Sequence, residues 1–271
     1  MISLDALCRI IRTIALGLVL AGLSSSVLAD NETVCAGGHR VTTTAHGLPG
    51  ERGKVVAAAC VVLSGVAAEG ASRVVADPLE FDVVEQIGGV RLNAQYINPS
   101  WLSAAAREHV MVTRLLIEQL EFDALAFVIA HETAHRLNDD ASSIRNALGA
   151  RNVFALLGLF VPIYLLRRRR HGQRLGTRAS VGAVAAGLIL AGLAWTAATI
   201  AIAAGNTRFE YRADLRGIRI LEGGGWPHER AFASFAAFIA WNGDRPAGSW
   251  LSQDRHPSDV ERVRAVQDGG R

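Results

Sequence analysis

The sequence predicts an α+β chain, mostly helical with a small sheet, interrupted by a helical hairpin apolar enough to cross a membrane. Three observations lead there. The apolar run 125–130 leads straight into His131-Glu132-Thr133-Ala134-His135, two histidines at helical spacing. Ahead of it, residues 55–63 and 90–97 read as strands. Behind it, apolar segments 153–166 and 179–204 flank a knot of four arginines, Arg167–Arg170. The composition agrees, with 50% hydrophobic residues and a mean hydropathy of +0.24 over 271 residues.

At the start of the chain, Arg9 and Arg12 precede TIALGLVLAGL and a tail of small residues ending at Ala29. That order is expected of a secretory signal peptide over 1–29, with an uncleaved signal anchor as the alternative. Both place the residues after Asp30 outside the cytoplasm. Of the three cysteines, Cys8 lies in this segment, leaving Cys35 and Cys60. An exported compartment permits a disulfide between them; otherwise Cys60, inside VVAAACVVL, is a buried apolar filler. Neither cysteine has the spacing of a metal ligand.

VVAAACVVL (55–63) is expected to form a buried strand, and VRLNAQYI (90–97), which alternates and stops at Asn98-Pro99, a half-exposed one. The second is the candidate for a sheet edge beside the site, where an extended peptide adds as one more strand; the alternative is a plain structural strand. Asp123 is the expected N-cap of the next helix and Asn138-Asp139-Asp140 its stop.

On that helix His131 and His135 are i and i+4, so both imidazoles face one way, one turn apart, and can grip one zinc ion. Glu132 stands beside them as the acid/base. Catalytic zinc needs a third protein ligand and an open position for water. Glu210 and Asp214 offer it, again at i and i+4: one carboxylate can ligate while the other accepts the N–H of a ligating histidine. Arg208, Arg212 and Arg216 interleave with them, and ion pairing along a solvated helix face is the competing explanation.

Three blocks carry a resemblance. VMVTRLLIEQLEFDALAFVIAHETAH (110–135), FEYRADLRGIRILEGGGWP (209–227) and RHPSDVERV (255–263) are similar, in the same order, to the HtpX-like and CAAX-prenyl-endopeptidase-like membrane zinc metalloproteases. The resemblance implies a zincin-like (gluzincin) catalytic domain binding one Zn2+ per chain. His131, His135 and Glu210 would be the ligands, Glu132 the catalytic acid/base and Asp214 the orienting carboxylate. His256, just ahead of a helix start at Pro257, is a further catalytic candidate, as oxyanion donor or gate, or else a surface cap. His39, His46, His109, His171 and His228 have no constellation around them.

The two apolar segments are unequal. As helices they would measure about 21 Å for 153–166 and about 39 Å for 179–204, so only the second spans ~30 Å of hydrocarbon alone. Pro162 also interrupts the first. Parity leaves two crossings or none, and the strongly apolar 179–204 favours two, a hairpin. His131 and His135 precede both segments, Glu210 follows both, and one ion needs all three on the same side. The expected division is therefore 30–146 and 205–271 as two parts of one catalytic domain, around a transmembrane hairpin over 147–204 with an Arg-rich loop at 167–178. Ala183, Gly187 and Ala191 form a small-residue row along which its arms can meet. Basic loops stay cytoplasmic, which puts the site on the periplasmic or extracytoplasmic face of what is expected to be a bacterial inner membrane. The resembled family usually carries two spans ahead of its motif and faces the cytoplasm; here one apolar segment precedes the motif, and the local charges decide.

Gly223-Gly224-Gly225 before Trp226-Pro227 is expected to stop a helix, and no phosphate-loop motif surrounds it. Much of the positive charge sits in the Arg knot with no nucleic-acid-binding motif beside it, so no nucleic-acid partner is expected. The function expected is a membrane-anchored zinc metalloendopeptidase acting on membrane-associated or misfolded proteins, with the lipid bilayer as its other partner. The alternative is a zinc-stabilised membrane chaperone or assembly factor, against which an intact Glu132 argues, since closed structural zinc sites need no general base.

Overall fold

A computed structural model describes residues 31–35, 38–43, 49–70, 79–85, 87, 94–97, 109–140, 177–242 and 257–269, with scattered positions between 143 and 164. Helices dominate it. In chain order the elements are β1 (Asn31–Val34), β2 (Arg40–Thr43), α1 (Pro49–Ala68), β3 (Leu79–Val84), β4 (Ala94–Ile97) and β5 (His109–Thr113). They continue with α2 (Arg114–Gln119), α3 (Phe122–Leu137), α4 (Thr177–Gly223), α5 (His228–Asn242) and α6 (Asp259–Gln267).

The strands form one mixed sheet, ordered β1-β2-β3-β5-β4. β2–β3 and β3–β5 run parallel, with Phe81 opposite Val110; the outer pairs β1–β2 and β5–β4 are antiparallel. Val41, Phe81, Val83, Val110 and Val112 alternate onto the buried face, which lies on α1 and α3. β4 is an edge of this sheet and runs beside α3, as residues 90–97 led one to expect.

Residues 55–63 are not a strand. They belong to the 20-residue helix α1, whose buried residues include Val55, Ala58, Ala59, Val62, Leu63 and Val66. Those steps of three and one are the helical period, and Pro49 sits at the first helical position where its missing N–H costs nothing. A nine-residue apolar run taken alone does not distinguish the two periods; the polar stretch before it, which the helix includes, does. Cys60 on α1 is bonded to Cys35, so the disulfide left open above is present and ties the end of β1 to α1. Lys54 on α1 donates to the carbonyls of Ile117, at 2.8 Å, and Leu120, closing the end of α2.

α3 is buried almost all round, as a central helix must be. Its N-cap is Glu121, and Asp123 lies two residues further on, in the first turn, where its charge still complements the helix dipole. Asn138 caps the far end as expected. Phe127, fully buried, meets Phe235 at 5.2 Å and Phe238 at 5.9 Å between ring centroids, joining α3 to α5. Burying one such ring stabilises the fold by roughly 1.5–3 kcal/mol.

α4 is a single helix of 47 residues. Among the described residues it is the one helix long and apolar enough to cross a membrane. Leu188, Ile189, Leu193, Trp195 and Ile200 are exposed on it, whereas Ala213, Ile218, Ile220 and Leu221 are in the core. The Arg knot and the signal segment lie outside the described residues, and of the first arm of the expected hairpin only scattered positions are described, among them Val153 and Tyr164, both exposed. At its C-terminal end α4 crosses α1 backbone to backbone. A Cβ on Gly65 would sit 1.7 Å from the Ile220 carbonyl oxygen, and one on Gly224 would sit 2.6 Å from that of Val61. The helix then stops as expected: Gly225 turns at φ 91, Trp226 N–H reaches the Leu221 carbonyl and Gly225 N–H that of Glu222.

Candidate metal centre

His131 and His135 project from the last turns of α3 toward α4, which carries Glu210 and Asp214 one turn apart. The two helices approach closely because Gly217 faces α3: a Cβ there would lie 3.3 Å from the His131 backbone nitrogen. His131 Nε2 and His135 Nε2 are 3.1 Å apart. The Glu210 carboxylate oxygens lie 3.4 Å from the first and 3.6 Å from the second. Glu132, next to His131 on α3, is half-buried.

Each imidazole is held from behind. His131 Nδ1 lies 2.9 Å from Asp214 Oδ1, an ion-pair contact bent away from a straight hydrogen bond. His135 Nδ1 is 2.9 Å from Asp140 Oδ2 in good geometry. Each carboxylate is gripped in turn by an arginine. Arg262 of α6 donates from Nε and Nη2 to Asp214, at 2.8 and 2.5 Å, and Arg212 pairs with Asp140. Ser258 N-caps α6 with a capping box to Glu261, which fixes the helix that delivers Arg262.

Two of the three arginines that interleave with Glu210 and Asp214 on α4 reach other elements instead. Arg212 reaches Asp140, and Arg216 reaches Glu69 and Asn138. Asp140, Arg212 and Arg262 are the residues sequence reasoning missed. Asp140 was legible only as a helix stop, and Arg262 in the RHPSDVERV block has no local partner that marks it. His256 itself lies outside the described residues.

The donor set fits a zinc ion. Tetrahedral zinc with bonds of about 2.0–2.2 Å places neighbouring ligand atoms about 3.3 Å apart. The three donors here stand 3.1, 3.4 and 3.6 Å from one another. A carboxylate lies behind each ring, and each ring presents Nε2 to the shared centre. Asp140, Glu210 and Asp214 bring three negative charges and Arg212 and Arg262 two positive, so one negative charge remains for a cation to balance. Neither thiol takes part, both being in the disulfide.

That surplus shows in His131. Burial disfavours its charged form, but Asp214 and Glu210 outweigh burial and raise its pKa to about 10. Burial likewise opposes the Asp214 anion, and Arg262 and then His131 overcome it, holding that carboxyl below its usual range. Without metal, the raised His131 contributes stability that is complete below about pH 6.5 and is lost as pH rises through about 10. Metal needs the lone pair that this proton occupies. Loading zinc at pH 7 is therefore expected to release about one proton from His131. Titration calorimetry in buffers of different ionisation heat measures it; a heat independent of buffer would overturn the expectation.

Comparison with known proteins bears on the same residues. The model of "Peptidase family M48" matches residues 95–269, which include His131, Glu132, His135, Glu210, Asp214 and Arg262. A curated relative, "Protease HtpX homolog" of Leptothrix cholodnii, is 28% identical over 174 residues, covering 58% of this chain and 57% of its own. The chain thus spans little more than half the length of that relative. No solved structure matches. With more than half of its length matched, including both helices that build the donor cluster, the chain belongs to peptidase family M48.

Proposed function

We propose that this protein is a membrane-anchored zinc metalloendopeptidase that cuts membrane-associated or misfolded proteins on the extracytoplasmic side. The observation that carries the reading is the cluster of His131 Nε2, His135 Nε2 and the Glu210 carboxylate, all within 4.8 Å of one another. A zinc ion held there supplies Lewis acidity toward a water and a peptide carbonyl. Glu132 takes the proton from the attacking water and returns it to the leaving amine nitrogen. Asp214 keeps the His131 imidazole turned to the centre. β4, at the sheet edge beside α3, offers its outer backbone groups to an extended substrate.

The location follows from two features. A disulfide between Cys35 and Cys60 belongs to an oxidising compartment. α4 then joins the apolar stretch ending near Ala204 to Glu210 without a break, and six residues of helix are about 9 Å. A bilayer around the exposed apolar residues of α4 would bring the metal centre close to its surface, which favours substrates held there. With residues 153–166 as the first arm of a hairpin, parity keeps all three ligands on one side.

The test is proteolysis of an unfolded protein by the full chain in detergent, before and after chelation. Cleavage is expected to vanish on stripping and to return with one equivalent of Zn2+. Cleavage that survives complete metal removal would sink the proposal, as would silence from the zinc-restored protein.

A further inference from the structure

We propose that Asp140 and Arg212 are positioning residues for His135, a carboxylate–guanidinium arm that fixes the tautomer and angle of this imidazole. The inference rests on the metal-binding reading above and adds two residues to it.

The position of Asp140 is the first argument. It stands two residues beyond the Asn138 cap of α3, at a helical position just after the turn. Its side chain is only 3% exposed, so its charge has little water to solvate it. A buried acid needs partners, and it has two. One oxygen accepts from His135 Nδ1 at 2.9 Å and the other from Arg212.

The backbone is the second argument. Asp139 has φ 55, the one positive value at a non-glycine among the described residues. A residue with a Cβ adopts that conformation at a cost and keeps it where the surroundings require it. Here it falls in the turn between α3 and Asp140, whose carboxylate meets the histidine five residues earlier.

Arg212 completes the arm from the opposite helix. It lies between Glu210 and Asp214 on α4, stacks over the Phe209 ring at 5.1 Å and keeps 46% of its side chain in solvent. A stacked guanidinium with one end on a buried carboxylate has little freedom left. The arm mirrors Arg262 and Asp214 behind His131 and differs in reaching the surface.

The test compares full-length parent, Asp140→Ala, Asp140→Asn and Arg212→Gln in detergent. Zinc affinity is read by competition with a chromophoric chelator, ligand geometry by the visible spectrum of the cobalt-loaded protein, and folding by melting of the metal-free forms. Asp140→Ala is expected to weaken zinc roughly 10- to 100-fold and to change the cobalt spectrum. Asp140→Asn, whose amide oxygen still accepts the N–H, is expected to recover most of that loss. Arg212→Gln should show a smaller loss, roughly threefold or more. Should Asp140→Ala not fold, Arg212→Gln decides at a half-exposed position, where parent-like affinity and spectrum would overturn the proposal. So would a folded Asp140→Ala that binds zinc as the parent does, or an Asp140→Asn no better than Asp140→Ala. A parent that binds zinc and cuts nothing removes the peptidase reading and leaves this one standing; a cleaving parent with a tight-binding Asp140→Ala does the reverse.

Discussion

Glu132→Gln is expected to lower peptide-bond cleavage by roughly 10²- to 10⁴-fold, the range for loss of a positioned general base. The amide has the size of the acid but cannot take up a proton at the relevant pH. Zinc content should stay at the parent level, because the three donor atoms belong to His131, His135 and Glu210. The pairing of those two results is what makes the experiment informative. Activity lost together with the metal would mean that Glu132 supports the site structurally. Activity retained within a few-fold, with metal bound, would remove it from the proton's path. The measurement is turnover of an unfolded protein substrate beside zinc analysis of the same preparations.

The donor cluster was legible because its members come at helical spacing. His131 with His135, and Glu210 with Asp214, each occupy one face of a helix whatever the rest of the chain does. Bringing the two helices together needed no contact information either, since a lone pair of histidines leaves a metal short of a ligand. What lay out of reach was contact between distant segments. Arg262 meets Asp214 from 48 residues away and Arg212 meets Asp140 across 72, and neither pair has a local signature. The misreading of residues 55–63 has another cause. Valine-rich runs favour strands on propensity alone, and here packing overrode it: Gly65 lets α1 touch the backbone of α4, which an extended strand could not do in the same way. Cys35 and Cys60 show a third kind of limit, for their pairing depends on β1 and α1 being neighbours, with Cα atoms 5.4 Å apart.

The buried ion pair behind His131 should carry the largest stability effect of any single replacement. Arg262→Met keeps the length and apolar stem of the side chain and removes the guanidinium. Asp214, with no solvent exposure, then keeps its contact with His131 but loses the guanidinium. Breaking a buried pair from one side costs about 3–5 kcal/mol, because the remaining charge is unsolvated, and here it keeps only the bent contact to His131. The metal-free protein is therefore expected to melt lower by roughly 10 °C or more, at about 2–4 °C per kcal/mol for a domain of this size. Neutralising both partners separates structure from function. The double replacement Asp214→Asn with Arg262→Met removes the stranded charge, and most of the lost stability should return. Zinc affinity should not return with it, since a neutral amide polarises the His131 ring less than a carboxylate held ionised by Arg262. Equal melting of parent and Arg262→Met would show that Asp214 finds another way to be satisfied. Recovery of zinc affinity in the double variant would assign the pair to the fold alone.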